Sequence, residues 1–169
     1  MKNKLYIMSG IPGSGKSTFA KLYFPESLYV SRDDIRFALV KEDEEYFSKE
    51  DEVCNIFISR IKNGLDEGRN VIADATHLNQ YSRLKLIKRL GVNPKDTEIV
   101  IIFMNVPLKE CIARNEKRKG TRSYVPIPAI VRMSKNLRTP TFDECFGMIH
   151  RIITVDETEH IISLKKDEF

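Results

Sequence analysis

The chain has 169 residues, 41% hydrophobic and 31% charged, with 28 Lys and Arg against 24 Asp and Glu for a net charge of +4. This predicts a single globular domain over residues 1–169 that needs no disulfide or metal staple, and it excludes disordered, collagen-like and zinc-finger architectures. Three widely spaced cysteines (Cys54, Cys111, Cys145), no apolar run that could span a bilayer and no long apolar stretch after Met1 point to a reducing, cytoplasmic setting without a membrane partner, while the charge balance permits a polyanionic partner without requiring one.

In chain order, residues 5–8 read as a strand that is apolar on both faces. Directly after it, Gly10-Ile11-Pro12-Gly13-Ser14-Gly15-Lys16-Ser17 matches the phosphate-loop pattern GxxxxGK(S/T) in full, and residues 18–23 follow as an amphipathic segment. The glycines let the backbone curl so that successive N–H groups line one concavity at a helix N-terminus, which suits phosphate oxygens. Lys16 would reach the β- and γ-phosphates, and Ser17 would offer its hydroxyl to Mg²⁺. An accidental glycine-rich turn would not carry both flanks.

A weaker strand over residues 27–31 leads into Ser31-Arg32-Asp33-Asp34-Ile35-Arg36. Ser31 and Asp34 fit a capping box. Asp33 is then left at the helix mouth, with Arg36 three residues on along the same face. Two readings stay open: a bare helix start, or an acceptor site in which Asp33 takes a hydroxyl proton and Arg36 forks onto a nearby phosphate.

Cys54, Phe57, Ile58, Ile61 and Leu65 mark one face of a helix, with Ser48 and Asp51 as its capping box and Gly68 at its end. Residues 71–73 form the next strand. Asp74 closes it, either as a turn-former or as a strand-end residue that positions a metal or an acceptor. Tyr81, Leu84, Ile87 and Leu90 predict a helix closed by Gly91, and residues 99–104 a buried strand. After Pro107 a helical start runs into Arg114-Asn115-Glu116-Lys117-Arg118-Lys119-Gly120-Thr121-Arg122, which is either a solvated helix end or a basic lid over about residues 114–125 whose arginine closes on the phosphates. Pro126 and Pro128 open another helix, with Ile130, Val131, Met133 and Leu137 inward. Residues 151–155 form a late strand, and the tail over 157–169 either adds an edge strand around 160–164 or frays. His77, His150 and His160 have no zinc-like spacing and read as structural or surface residues, and the cysteines read as core. The basic surface is not interleaved with aromatics, so it suggests no single-strand platform. Strands alternating with helices give an α/β class of the P-loop kinase type: a parallel sheet with helices on both faces, right-handed crossovers and a basic lid.

From residue 4 to about 155 the chain resembles the phage-type polynucleotide 5′-hydroxyl kinases, within the AAA-like ATP-binding P-loop kinases. Four blocks carry the resemblance: residues 10–18, residues 31–36, Ile72-Ala73-Asp74-Ala75-Thr76-His77-Leu78-Asn79, and Val106-Pro107 through the basic run to Val125-Pro126. A further stretch, Leu137-Arg138-Thr139-Pro140-Thr141 and on to Val155, looks like the C-terminal signature of related end-healing kinases. The first block is common to P-loop enzymes; the second and fourth together are more specific. The resemblance implies transfer of the γ-phosphate of ATP (or another NTP), with Mg²⁺, to a 5′-hydroxyl end of DNA or RNA. It places Lys16 and Ser17 on phosphate and metal, with Gly10, Ile11, Pro12, Gly13, Ser14, Gly15 and Thr18 completing the nucleotide cradle. It places the general base on Asp33, the acceptor-binding arginine on Arg36, the lid arginine on Arg118 and the strand-end aspartate, at the metal, on Asp74. Extra lid residues near Lys119 and Tyr124 make Arg122 an alternative to Arg118, and Arg114 is counted among the nucleotide-binding residues. The phosphatase domain of the phage enzymes has no counterpart here, which implies no 3′-end activity. Two competing readings remain: a kinase of a small hydroxyl acceptor (sugar, nucleoside or nucleotide sugar), and a non-catalytic nucleotide-binding module. Arg36 separates the first of these from the polynucleotide reading, because only an acceptor with a phosphate beside its hydroxyl calls for that cation.

Overall fold

A computed structural model describes residues 2–156 and the backbone of residues 160–165. Its strands are β1 (Asn3–Ser9), β2 (Leu28–Ser31), β3 (Val71–Asp74), β4 (Thr97–Asn105), β5 (Arg151–Asp156) and β6 (His160–Lys165). They form one sheet in the order β2-β3-β1-β4-β5-β6, in which the first five run parallel and β6 pairs antiparallel with β5. The edge strand expected in the tail is therefore present; the rest of the tail and the His160 side chain lie outside the described residues. The helices are α1 (Lys16–Tyr23), α2 (Arg32–Leu39), α3 (Glu50–Asp66), α4 (Gln80–Leu90), α5 (Leu108–Glu116) and α6 (Ile127–Asn136).

The central strands are apolar on both faces because both faces are covered. Leu5, Ile7, Ile99 and Ile101 pack against Val53, Phe57 and Ile61 of α3 and Leu86, Ile87 and Leu90 of α4. Tyr6, Met8, Val100, Ile102 and Met104 face the other way, onto Phe19 and Ala20 of α1. Each fully buried aliphatic side chain contributes roughly 1.5–3 kcal/mol. A third cluster of Ile11, Val106, Cys111 and Ile130 ties the loop after β1 to α5 and α6, with Met133 and Leu137 half-buried against it. β1 lies between β3 and β4, so the carboxyl ends of β1, β2 and β3 meet at the crevice where ligands bind in this class. Among the described residues no helix is long and apolar enough to cross a membrane.

Three local expectations change. The Ser48–Asp51 capping box does not form: α3 starts from Lys49 without a side-chain cap, and Glu50, Asp51 and Glu52 put negative charge on its first turn instead. Tyr81 is 73% exposed, and the buried place on α4 goes to Arg83, paired with Glu144. Cys111 and Cys145 are buried as expected, but Cys54 is only half-buried. Gly68 (φ 77) does close α3, with Gly68 and Arg69 N–H bonding back to Leu65 and Gly64.

His77 is structural, as expected. It is buried, and its Nδ1 lies 2.8 Å from the Met8 carbonyl, so it donates from Nδ1. Burial pushes its pKa down to about 4. An unfolded imidazole titrates near 6.5, so as pH falls the unfolded chain binds the proton first. The stabilisation is complete above about pH 6.5 and is lost towards pH 4. His77→Asn tolerates the positive φ of 37 and removes the titration. Between pH 7 and 4 the wild type should lose about 3 kcal/mol more than this variant in urea melts; equal losses would refute the assignment.

Candidate functional site

After Ser9 the chain curls through residues 10–15 into α1. Gly13 (φ 83) and Gly15 (φ 87) adopt the left-handed conformation the curl needs. A Cβ on Gly13 would sit 2.3 Å from the Cys111 carbonyl oxygen. Inside the curl the Ser14 N–H donates to the Ile11 carbonyl at 3.2 Å and Lys16 Nζ donates to the same oxygen at 3.0 Å. The first N–H groups of α1 have no acceptors within the helix, and its first turn holds no acidic residue, so its positive end is free for an anion. Ser14 Oγ is buried without a hydrogen-bond partner, an orphan that fits a phosphate oxygen. Burial lowers the Lys16 pKa, and the charges of Asp74 and Asp33 oppose the shift. Gly13→Ala should both strain the turn and collide with α5, lowering ATP affinity at least about tenfold. A titration within twofold of wild type would contradict the cradle.

Asp74 ends β3 with its Oδ2 accepting from Ser17 Oγ at 2.7 Å and from the Tyr29 hydroxyl of β2. Burial, then the Asp74 charge, raises the Tyr29 pKa, so Tyr29 remains a donor. Asp74 thus reaches the phosphate loop through Ser17, a contact that a bare turn-former would not make. Tyr29 joins this candidate site through Asp74 although no motif marks it; its signal in the sequence is a hydroxyl in a short strand. Two hard oxygens beside a phosphate cradle fit Mg²⁺, which takes one or two protein oxygens and completes its shell with substrate phosphates and water. Among the described residues no cluster of three His, Cys, Asp or Glu residues capable of holding a metal occurs.

On the acceptor side, Ser31 Oγ caps α2 by accepting from the Asp34 N–H at 3.1 Å, one half of the expected box. Asp33 stands at the helix mouth with its side chain 66% exposed. Its Oδ1 accepts from Arg36 Nη1 at 2.6 Å and from the Tyr46 hydroxyl at 3.2 Å. Arg36 is only 5% exposed, and its Nε and Nη2 donate to Glu50 Oε2 at 3.2 and 2.8 Å. Arg32 pairs with the same carboxylate. The structure therefore gives Arg36 two carboxylate partners where the sequence suggests a phosphate. Glu50 lies fourteen residues away on another helix, so no local pattern announces it.

The three lid arginines separate. Arg114 pairs with Glu110 and approaches the Gly13 carbonyl at 3.5 Å, against the rim of the cradle. Arg118 lies in the turn after α5, where its charge adds to the lowering of the Lys16 pKa that burial dominates. Arg122 instead donates to the Phe37 carbonyl at 3.0 Å and to the Val40 carbonyl, with its guanidinium 4.9 Å from the Phe37 ring centre. It closes the C-terminus of α2. The two ends of the lid are stapled by Asn115, which is fully buried and exchanges hydrogen bonds with the Val125 backbone at 2.7 and 3.0 Å.

Residues 5–140 match the model of the AAA domain family (AAA_33). The L-seryl-tRNA(Sec) kinase of Methanococcus maripaludis is 30% identical over 166 residues, covering 93% of this chain and 60% of that protein. The chain thus spans about three fifths of the curated relative's length. A chain in the structure of the Pnkp1/Rnl/Hen1 RNA repair complex superposes with a TM-score of 0.69 at 27% identity, over 80% of this chain and 44% of that one. A sugar kinase from Janibacter sp. HTCC2649 superposes with a TM-score of 0.63 at 19% identity, over 92% and 86%, and shares the fold alone.

Proposed function

The chain belongs to the AAA domain family, and from that premise we propose that it is a P-loop kinase that transfers the γ-phosphate of ATP to a 5′-hydroxyl end of RNA or DNA. The observation that carries this reading is the Asp33 carboxylate: one oxygen is held by Arg36 and Tyr46, and the exposed group stands at the end of β2, beside β3 with its Asp74. A carboxylate fixed on one side and open on the other is suited to accept a hydroxyl proton. In the reaction the acceptor oxygen bonds to the γ-phosphorus, the bond to the β–γ bridging oxygen breaks, ADP leaves, and the hydroxyl proton passes to Asp33. Lys16 and the α1 N-terminus hold the transferring charge, and Arg118 approaches it from the lid. Ser17 and Asp74 would hold Mg²⁺, which would supply neutralisation of phosphate charge.

The polynucleotide acceptor rests on the residue pattern and on the RNA repair complex among the similar structures. A second reading, a seryl hydroxyl carried on tRNA, is favoured by the seryl-tRNA(Sec) kinase similarity over 93% of the chain. The test is one transfer assay with γ-labelled ATP and Mg²⁺, offering 5′-hydroxyl RNA and DNA oligonucleotides, seryl-tRNA, and a panel of sugars and nucleosides, with Asp33→Asn as control. Label on oligonucleotides is the expected result. Label on seryl-tRNA alone selects the second reading, and label on small molecules alone overturns both.

A further inference from the structure

The loop between α2 and α3 sets two large aromatic side chains at the acceptor rim. Tyr46 is 39% exposed and Phe47 60%. Their rings meet edge to face with centroids 4.8 Å apart, forming a corner, and Phe37 touches Tyr46 from the side at 6.4 Å. The Arg36 guanidinium lies 4.7 Å from the Tyr46 ring centre and 5.5 Å from that of Phe47, fixed there by Glu50. The corner is also wired to the proton acceptor, since the Tyr46 hydroxyl donates to Asp33 Oδ1. Single exposed aromatics are ordinary on protein surfaces. A pair braced by a buried cation and hydrogen-bonded to the carboxylate that receives the proton is placed to hold something flat next to the reacting hydroxyl.

We propose that Tyr46 and Phe47 form a stacking subsite for the nucleobase of the acceptor's terminal nucleoside. The proposal rests on the polynucleotide reading. Stacking tolerates any base, because every base has a π face, so the subsite would select for an end and not for a sequence. Charge points the same way. The loop that carries the corner holds Glu42, Asp43, Glu44 and Glu45 against Lys41 and Lys49, of which Lys49 pairs with Glu44, and so is net negative, whereas Lys117, Arg118 and Lys119 lie in the lid. A phosphodiester strand is repelled by the first arm and attracted by the second. The 5′-hydroxyl nucleoside is the one unit of a strand with no phosphate on its 5′ side, so it alone sits against the acidic arm without repulsion while the phosphates that follow lie towards the lid.

The chain contains no tryptophan, so Phe47→Trp places a single reporter in the corner. A 5′-hydroxyl oligonucleotide should quench its emission, and the same strand with an abasic 5′-terminal unit should not. With wild-type protein the abasic strand should show a KM about tenfold higher or more at similar kcat. In Phe47→Leu the two strands should differ by less than twofold, because the base has lost its partner. Equal quenching and equal KM for both strands, with transfer intact, would overturn the stacking subsite and leave the kinase reading standing. Transfer to no oligonucleotide at all would overturn the subsite together with the polynucleotide acceptor. The wild-type comparison of the two strands needs no variant and so does not depend on one folding.

Discussion

Asp33→Asn should slow phosphoryl transfer by about 10²–10⁴-fold while ATP binding stays within a few-fold of wild type. The substitution keeps the shape of the side chain and a carbonyl oxygen that can still accept from Arg36 and Tyr46. It removes the ability to take a proton. Asp33 makes its side-chain hydrogen bonds to Arg36 and Tyr46 and acts on Lys16 through its charge, so nucleotide affinity should move little. The loss should appear in kcat, and in kcat/KM to the same degree, as expected for an interaction realised in the transition state. Glu50→Gln should give a smaller loss of the same kind, because it acts on Asp33 through Arg36. Transfer by Asp33→Asn within threefold of wild type would remove Asp33 as the base and return the chain to a nucleotide-binding module or a differently catalysed reaction.

The parts of this site written in contiguous residues are legible in the sequence alone. The phosphate loop, the apolar strand ahead of it and Asp74 at the end of β3 follow from local pattern, because a glycine-rich curl needs its glycines in sequence and a doubly covered strand needs an unbroken apolar run. What is not legible is non-local. Glu50 meets Arg36 across fourteen residues and Arg83 meets Glu144 across sixty-one, and neither pairing leaves a periodic trace. Tyr46 and Phe47 stand together in an acidic loop, and only the folding of α2 against α3 brings Tyr46 to Asp33. Arg122 has the composition of a lid arginine yet turns to the Phe37 and Val40 carbonyls, because the unsatisfied C-terminal carbonyls of α2 lie within its reach. The spacing of Arg36 to Asp33 puts them on one helix face, where they meet, but it carries no information about the carboxylate of α3 that takes the place expected for a phosphate.

The largest stability effect expected is at Glu144. Arg83 is fully buried; its Nε and Nη2 donate to Glu144, its Nη1 to the His77 carbonyl at 3.0 Å and to Ser9 Oγ at 3.3 Å, and its Nη2 reaches the Arg138 carbonyl at 3.4 Å. Glu144→Ala would leave that guanidinium buried without its counter-charge, at a cost of about 3–5 kcal/mol. For a chain of this size, about 2–4 °C per kcal/mol, the midpoint should fall by roughly 6–20 °C. Replacing both partners with apolar residues, Arg83→Met with Glu144→Leu, should recover most of the midpoint, since the desolvated charge is gone with its partner. The two variants should still part company at the phosphate loop. Ser9 is the last residue of β1, its hydroxyl donates to the His77 carbonyl at 2.9 Å, and the Gly10 N–H donates to the Thr76 carbonyl at 2.9 Å. Arg83 thus joins the root of the loop to the turn after β3, and no apolar pair replaces those hydrogen bonds. The double variant should therefore melt near the wild type but bind ATP more weakly. A Glu144→Ala midpoint equal to wild type would show that the pair does not stabilise the fold, and a double variant that binds ATP like the wild type would show that it does not brace the loop.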